Sequence, residues 1–228
     1  MTSRKEQREV TRQRVLSAAE QLFTAHGYDA TTIRDIAARA GVSVGTVMAV
    51  GDKAAILVEL FDRRISTLHE TRAKRDAPRR TAPSPGRLAD DVLALFEPFL
   101  ALFAGDPELA RHYAAALVTG KHRAGVFNEL GAALRREIGD VLIRAGFAPE
   151  AAAGGATAIH LAYLGALFVG AGAGGADLSG PVEDLVSVVR FITDSNNAAE
   201  GSNNAADGNS NAGSDADSDN ERQESEQR

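Results

Sequence analysis

From Thr11 to Ala25 the apolar residues Val15, Leu16, Ala19, Leu22 and Phe23 return with a helical period, and Gly27 stands where a helix would close. After a turn at His26-Gly27-Tyr28-Asp29, a second apolar stripe runs through Ile33, Ile36, Ala37 and Ala40. Thr32 and Asp35 frame its start like a capping box, with a hydroxyl to accept a backbone N–H and a carboxylate at the positive end of the helix. Gly41 supplies a sharp turn, Val42 is placed to fill the angle between helices, and Ser43 caps a very short third helix ending near Ala49. Two helices this short and this tightly joined cannot form a core of their own. They make physical sense as a helix-turn-helix that offers its second helix to a DNA major groove.

Downstream, Leu57, Leu60, Phe61, Ile65 and Leu68 predict a long helix from Lys53 to near Arg75, well placed to connect two domains. The run 79–86, RRTAPSPG, reads as a turn-forming linker. Further helices are expected at about 87–104, 107–119, 125–145, 149–171 and 181–193, with Pro107 as a first-turn residue and Gly146 as a stop. No strand is expected anywhere. The chain thus reads as all-α, with an N-terminal DNA-binding domain over 1–52 and a larger helical domain over 53–193. From Asp194 to Arg228 the hydrophobic periodicity vanishes into Asn, Ser, Gly and acids, so an acidic disordered tail is expected there.

The run AAEQLFTAHGYDATTIRDIAARAGVSVGTVMAV, followed by Lys53 and the apolar Ile56-Leu57, resembles the N-terminal domain of the TetR family of bacterial transcriptional regulators. The likeness covers roughly Val10 to Phe61. It implies a homodimeric all-α repressor of a double-stranded DNA operator, with a C-terminal ligand-binding and dimerisation domain that takes a small-molecule effector. Two features depart from the family pattern. Met48 stands where a tyrosine is usual, and the stretch Ala49-Val50-Gly51 replaces an aromatic or histidine-rich one and is one residue short. The family tyrosine commonly touches a DNA phosphate, which a thioether cannot do well.

The DNA-contact set expected from this placement is Thr32, Arg34, Ser43, Val44, Gly45, Thr46, Met48 and Lys53. Lys53, opening its helix, suits a phosphate. Arg34 can fork onto guanine O6 and N7, and Thr46 can reach a phosphate or a base edge. Val44 and Gly45 carry no hydrogen-bonding side chain and would lie against a thymine methyl or let the backbone come close. An effector pocket is expected among Phe96, Phe99, Phe103, Tyr113, His160 and Tyr163, aromatic walls with a few polar tips. Its ligand class does not follow from these residues.

The formal charge of −6 argues against nucleic acid if taken alone. Its distribution reverses that reading. Residues 1–80 hold 15 basic and 10 acidic side chains, a balance of +5, whereas 81–193 stand at −4 and 194–228 at −7. The basic arm Arg4, Lys5, Arg8, Arg12 and Arg14 is placed to follow a phosphate backbone or a minor groove. The absence of cysteine excludes disulfides, thiolate metal sites and cysteine nucleophiles. With no nucleotide loop, nucleophile elbow or metal-like histidine spacing, no enzyme, cofactor or metal is expected. The charged N-terminus, lacking an apolar signal segment, points to the cytoplasm. The uncharged stretch 151–176 is long enough to span a bilayer, yet its alanines and glycines contribute little transfer energy. Helix pairing is expected of it instead, and no membrane. A helical protein-interaction module that keeps this fold without specific DNA binding is the alternative.

Overall fold

The computed structural model describes residues 3–76, 86–119, 125–172 and 179–209, and its elements are α-helices, with no strand among the described residues. α1 spans Arg4–His26, seven residues earlier than the apolar periodicity begins. A capping box explains the extension: Ser3 Oγ accepts from the Glu6 N–H at 3.2 Å while Glu6 Oε2 accepts from the Ser3 N–H at 2.7 Å. The basic arm is therefore the first turns of a helix rather than an extended strap. Its last two members work inside the protein, Arg12 on the Glu59 carboxylate and Arg14 on the Ala40 carbonyl at 2.6 Å.

α2 (Ile33–Ala40) and α3 (Val44–Val50) follow with the expected caps. Gly41 sits in the left-handed region at φ 64°, and the Gly41 and Val42 N–H groups donate back to Ala38 and Ala37. That double closure folds α3 sharply across α2. α4 (Lys53–Asp76) starts on the Asp52 carboxylate, which accepts from the Ala55 N–H at 2.8 Å.

The expected helix over 87–104 is two helices, α5 (Leu88–Leu93) and α6 (Glu97–Gly105). Pro98 is the cause, since it brings no N–H and its ring collides with the carbonyl four residues back, that of Ala94. α7 (Pro107–Val118), α8 (Gly125–Arg144) and α9 (Pro149–Gly172) run as expected within a residue or so. α10 (Ser179–Asn209) continues past Thr193, and Asp194 and Ser195, the next two residues, are exposed. The linker residues 77–85 and the tail residues 210–228 lie outside the described residues.

One continuous apolar core joins these helices, and α4 runs through its middle. Ile56 and Leu57 are buried in it, and Phe61 stacks on Tyr113 of α7 with ring centres 4.6 Å apart. Burying each such side chain contributes about 1.5–3 kcal/mol. α9 meets the length and composition of a membrane-crossing helix. Its buried residues nevertheless form a regular face, including Ala152, Ala156, Ile159, Tyr163 and Leu167, packed on its neighbours α8 and α10.

Candidate nucleic-acid interface

α3 is anchored by one side chain. Val47 is fully buried, whereas Val44 and Met48 are 44% and 51% exposed, next to exposed Gly45 and Ala49. The outward surface is thus apolar and nearly flat. A Cβ placed on Gly45 would meet only Ser43 Oγ, at 3.8 Å, so another surface can approach the backbone closely there. Polar groups sit at the rim. The Ser43 and Thr46 hydroxyls are 2.9 Å apart, and Ser43 Oγ also caps the Thr46 N–H at 3.1 Å. Arg34 is exposed on α2. Thr32 is bound to Asp35 through both its N–H and its hydroxyl, and the Thr32 hydroxyl, followed by the Thr32 N–H, holds the Asp35 carboxyl below its usual pKa. The loop after α3 is tight for a steric reason: a Cβ on Gly51 would lie 2.8 Å from Ala55 Cβ.

Lys53 is placed differently from the rest of the expected DNA-contact set. Its ammonium turns inward, donating to the Tyr28 carbonyl at 2.9 Å and the Thr31 carbonyl at 3.0 Å. It also lies 4.1 Å from the centre of the Tyr28 ring. Two of its three donors are engaged in holding the α1–α2 turn against the start of α4, which leaves one for any other acceptor.

The family model for bacterial regulatory proteins, tetR family, matches residues 15–49, from the packed half of α1 through the outward face of α3. Residues 15–49 thus resemble the helix-turn-helix segment of that family. Among solved structures, the SmeT-Triclosan complex is 24% identical over 83% of this chain and 91% of that chain, with a TM-score of 0.41. The search of curated proteins gave no match. Met48 and Gly51, two of the departures from the pattern that this segment resembles, lie at the exposed edge of α3 and at its tight exit.

The six residues expected to line an effector pocket are brought together, and all are buried. Phe96 stacks on Tyr163 at 4.6 Å, Phe103 meets Tyr113 edge-on at 6.0 Å, and His160 lies 6.1 Å from Tyr163. Phe99 lies under the Arg72 guanidinium at 5.8 Å. Polar groups are threaded through this aromatic layer. The Tyr113 hydroxyl donates to Asp62 Oδ1 at 2.8 Å, and Arg72 pairs with Glu137. Burial raises the pKa of Asp62 and of both tyrosines and lowers that of His160, which keeps His160 neutral near pH 7. His160 Nδ1 and Arg72 Nε are buried without a hydrogen-bond partner among the described residues. A separate open groove of about 430 Å³ lies between α1 and α4, lined in part by Gln13, Glu20, Arg63, Arg64 and Leu102.

A contact not foreseen from the sequence joins the helix-turn-helix unit to α7. Glu108 accepts from the Tyr28 N–H at 3.0 Å, His112 stacks on the Tyr28 ring at 4.2 Å, and His112 Nε2 lies 3.2 Å from Asp29 Oδ1. Tyr28 is thereby held between Lys53 and His112. The sole local signal was an aromatic residue in the α1–α2 turn, and its partners come from 80 residues away.

Proposed function

We propose that this regulator is a ligand-responsive homodimeric repressor, cytoplasmic and without catalytic activity of its own, that leaves its double-stranded operator when a small molecule enters the helical domain over 53–193. The observation that carries the reading is α3 itself, pinned by Val47 and turning Val44, Gly45 and Met48 outward. Base readout by such a helix rests on thymine methyls and close backbone approach, with Arg34, Thr46 and Thr32 supplying polar contacts at its edges.

Dimerisation through α9 and α10 is supported by large apolar side chains that are exposed on both helices. Leu161 and Val169 on α9 are 60% and 61% exposed, and Phe191 on α10 is 76% exposed. Gly154, Gly165 and Gly172 lie on the same outward side of α9 as Leu161 and Val169 and have open space around them, which permits close approach of a second helix. A two-fold dimer presents its two α3 helices to successive major grooves about 34–36 Å apart. For the effector, the aromatic layer with its two unsatisfied buried groups, His160 Nδ1 and Arg72 Nε, offers one acceptor or donor and one cationic donor. α4 carries Arg72 near one end and Lys53 at the other, so a ligand that prefers one tilt of α4 biases DNA binding, and DNA must weaken that ligand equally.

The test is a mobility-shift titration of fragments flanking the protein's own gene against scrambled competitor, for wild type and Arg34→Ala/Thr46→Ala. Selective binding that falls steeply with salt, and weakens in the variant, is expected. The apolar outer face of α3 favours one other reading, a protein-interaction module. Equal, weak binding of all fragments by both proteins would select it and discard the repressor.

A further inference from the structure

Asp29 of the α1–α2 turn and Glu108 and His112 of α7 bring one ligand atom each to within 4.8 Å of one another. Glu108 and His112 are four apart, one helical turn, and so share a face of α7. Each is already oriented by a contact that leaves ligand capacity over. Glu108 Oε1 accepts from the Tyr28 and Asp29 N–H groups at 3.0 and 3.4 Å, while Oε2 stays directed at Gly27, where a Cβ would meet it at 3.0 Å. The His112 ring is fixed by its stack on Tyr28. Its Nε2 is shielded from solvent, and although Asp29 Oδ1 stands 3.2 Å away the pair is not in hydrogen-bond geometry. This imidazole nitrogen, without a hydrogen bond among the described residues, thus stands close to two carboxylates.

We propose that Asp29, Glu108 and His112 form a site for a divalent transition metal of the zinc type, which clamps the helix-turn-helix unit to α7. One imidazole nitrogen and two carboxylate oxygens are a borderline-to-hard donor set, suited to Zn²⁺ or Co²⁺ and not to soft Cu(I). Tetrahedral coordination with bonds of about 2.0–2.2 Å sets ligand atoms roughly 3.4 Å apart. Closing from the present spacing asks for a small movement, and Asp29, 74% exposed in its side chain, is free to make it. Water completes the shell on that exposed side. The ion ties Asp29, in the turn before α2, to a helix whose Tyr113 bonds Asp62 of α4, so it acts on the unit that carries α3. Sequence spacing could not reveal the set, because Asp29 stands 79 residues before Glu108.

The experiment uses the full chain in chelator-free buffer. Zn²⁺ is titrated calorimetrically and Co²⁺ by its visible absorption, for wild type, Asp29→Asn and His112→Phe. The phenylalanine keeps a ring against Tyr28 but cannot ligate, so it separates metal binding from packing. One ion per protomer is expected, with affinity at least tenfold weaker in each variant while apo melting of His112→Phe stays near wild type. Zn²⁺ should also slow amide hydrogen exchange over residues 27–31 in wild type alone. Absence of saturable binding, undiminished binding in both variants, or binding that leaves exchange in the turn unchanged overturns the clamp. None of these readouts depends on finding an operator.

Discussion

Replacing Lys53 by methionine keeps most of the aliphatic stem and removes the ammonium. That ammonium serves the Tyr28 and Thr31 carbonyls at 2.9 and 3.0 Å and the Tyr28 ring at 4.1 Å. A hydrogen bond to a charged group contributes about 1.5–3 kcal/mol net, and a partly exposed cation–π contact about 0.5–1 kcal/mol. The three contacts share one half-buried group, and the carbonyls left behind regain water at the turn, so the contributions do not add. A loss of about 2–3 kcal/mol is expected on these grounds. Urea denaturation followed by circular dichroism should show a lower midpoint at an unchanged slope. A lysine that only touched a DNA phosphate would behave in the opposite way. Stability would hold, and the salt dependence of DNA binding would become shallower by about 0.9 in the log–log slope. An unchanged urea midpoint would refute the positioning role.

Other outcomes follow from the same contacts. Tyr113→Phe strands the buried Asp62 carboxylate and should cost about 1–3 kcal/mol in chemical denaturation. Asp62→Asn keeps an acceptor for Tyr113 and removes the buried charge. Because burial raises the folded pKa of Asp62 above 3.8, its stabilising contribution is full below that value and is lost as pH rises through the folded pKa. The wild type should therefore lose stability relative to Asp62→Asn as pH climbs from acid toward neutral, and parallel pH curves would contradict this. Gly51→Ala forces its new methyl against Ala55 and should cost about 1–3 kcal/mol by thermal melting, while Gly45→Ala, with open space, should be silent in the same assay. Leu161→Glu with Phe191→Glu should sediment as a folded monomer if α9 and α10 form the dimer face, and a persisting dimer would place that face elsewhere.

Much of the fold was legible along the chain. The Thr32–Asp35 box, the Ser43 cap and the Gly41 turn act over three to five residues, and they appear in the structure as they read in the sequence. The break at Pro98 was also a local signal, masked by apolar residues on both sides that keep a helical period through it. The exposure of Val44, Gly45 and Met48 has a local cause too, because a helix this short is anchored through Val47 and leaves most of its other side chains outside.

What a long charged side chain does was not legible. Lys53 at a helix start and Arg14 in a basic arm carry the sequence signature of phosphate contacts, yet their heads meet carbonyls 25 and 26 residues away. Nor could any spacing show that Tyr28 is held by Glu108 and His112 of α7. By itself the sequence determined the helices, their caps and the presented face of α3, because backbone hydrogen bonds and apolar periodicity are short-range. Only the tertiary structure decided which charges are spent inside and which groups meet across the two units. A flexible side chain with several donors takes whatever acceptor the folded chain brings near, and that choice is made by packing rather than by position along the chain.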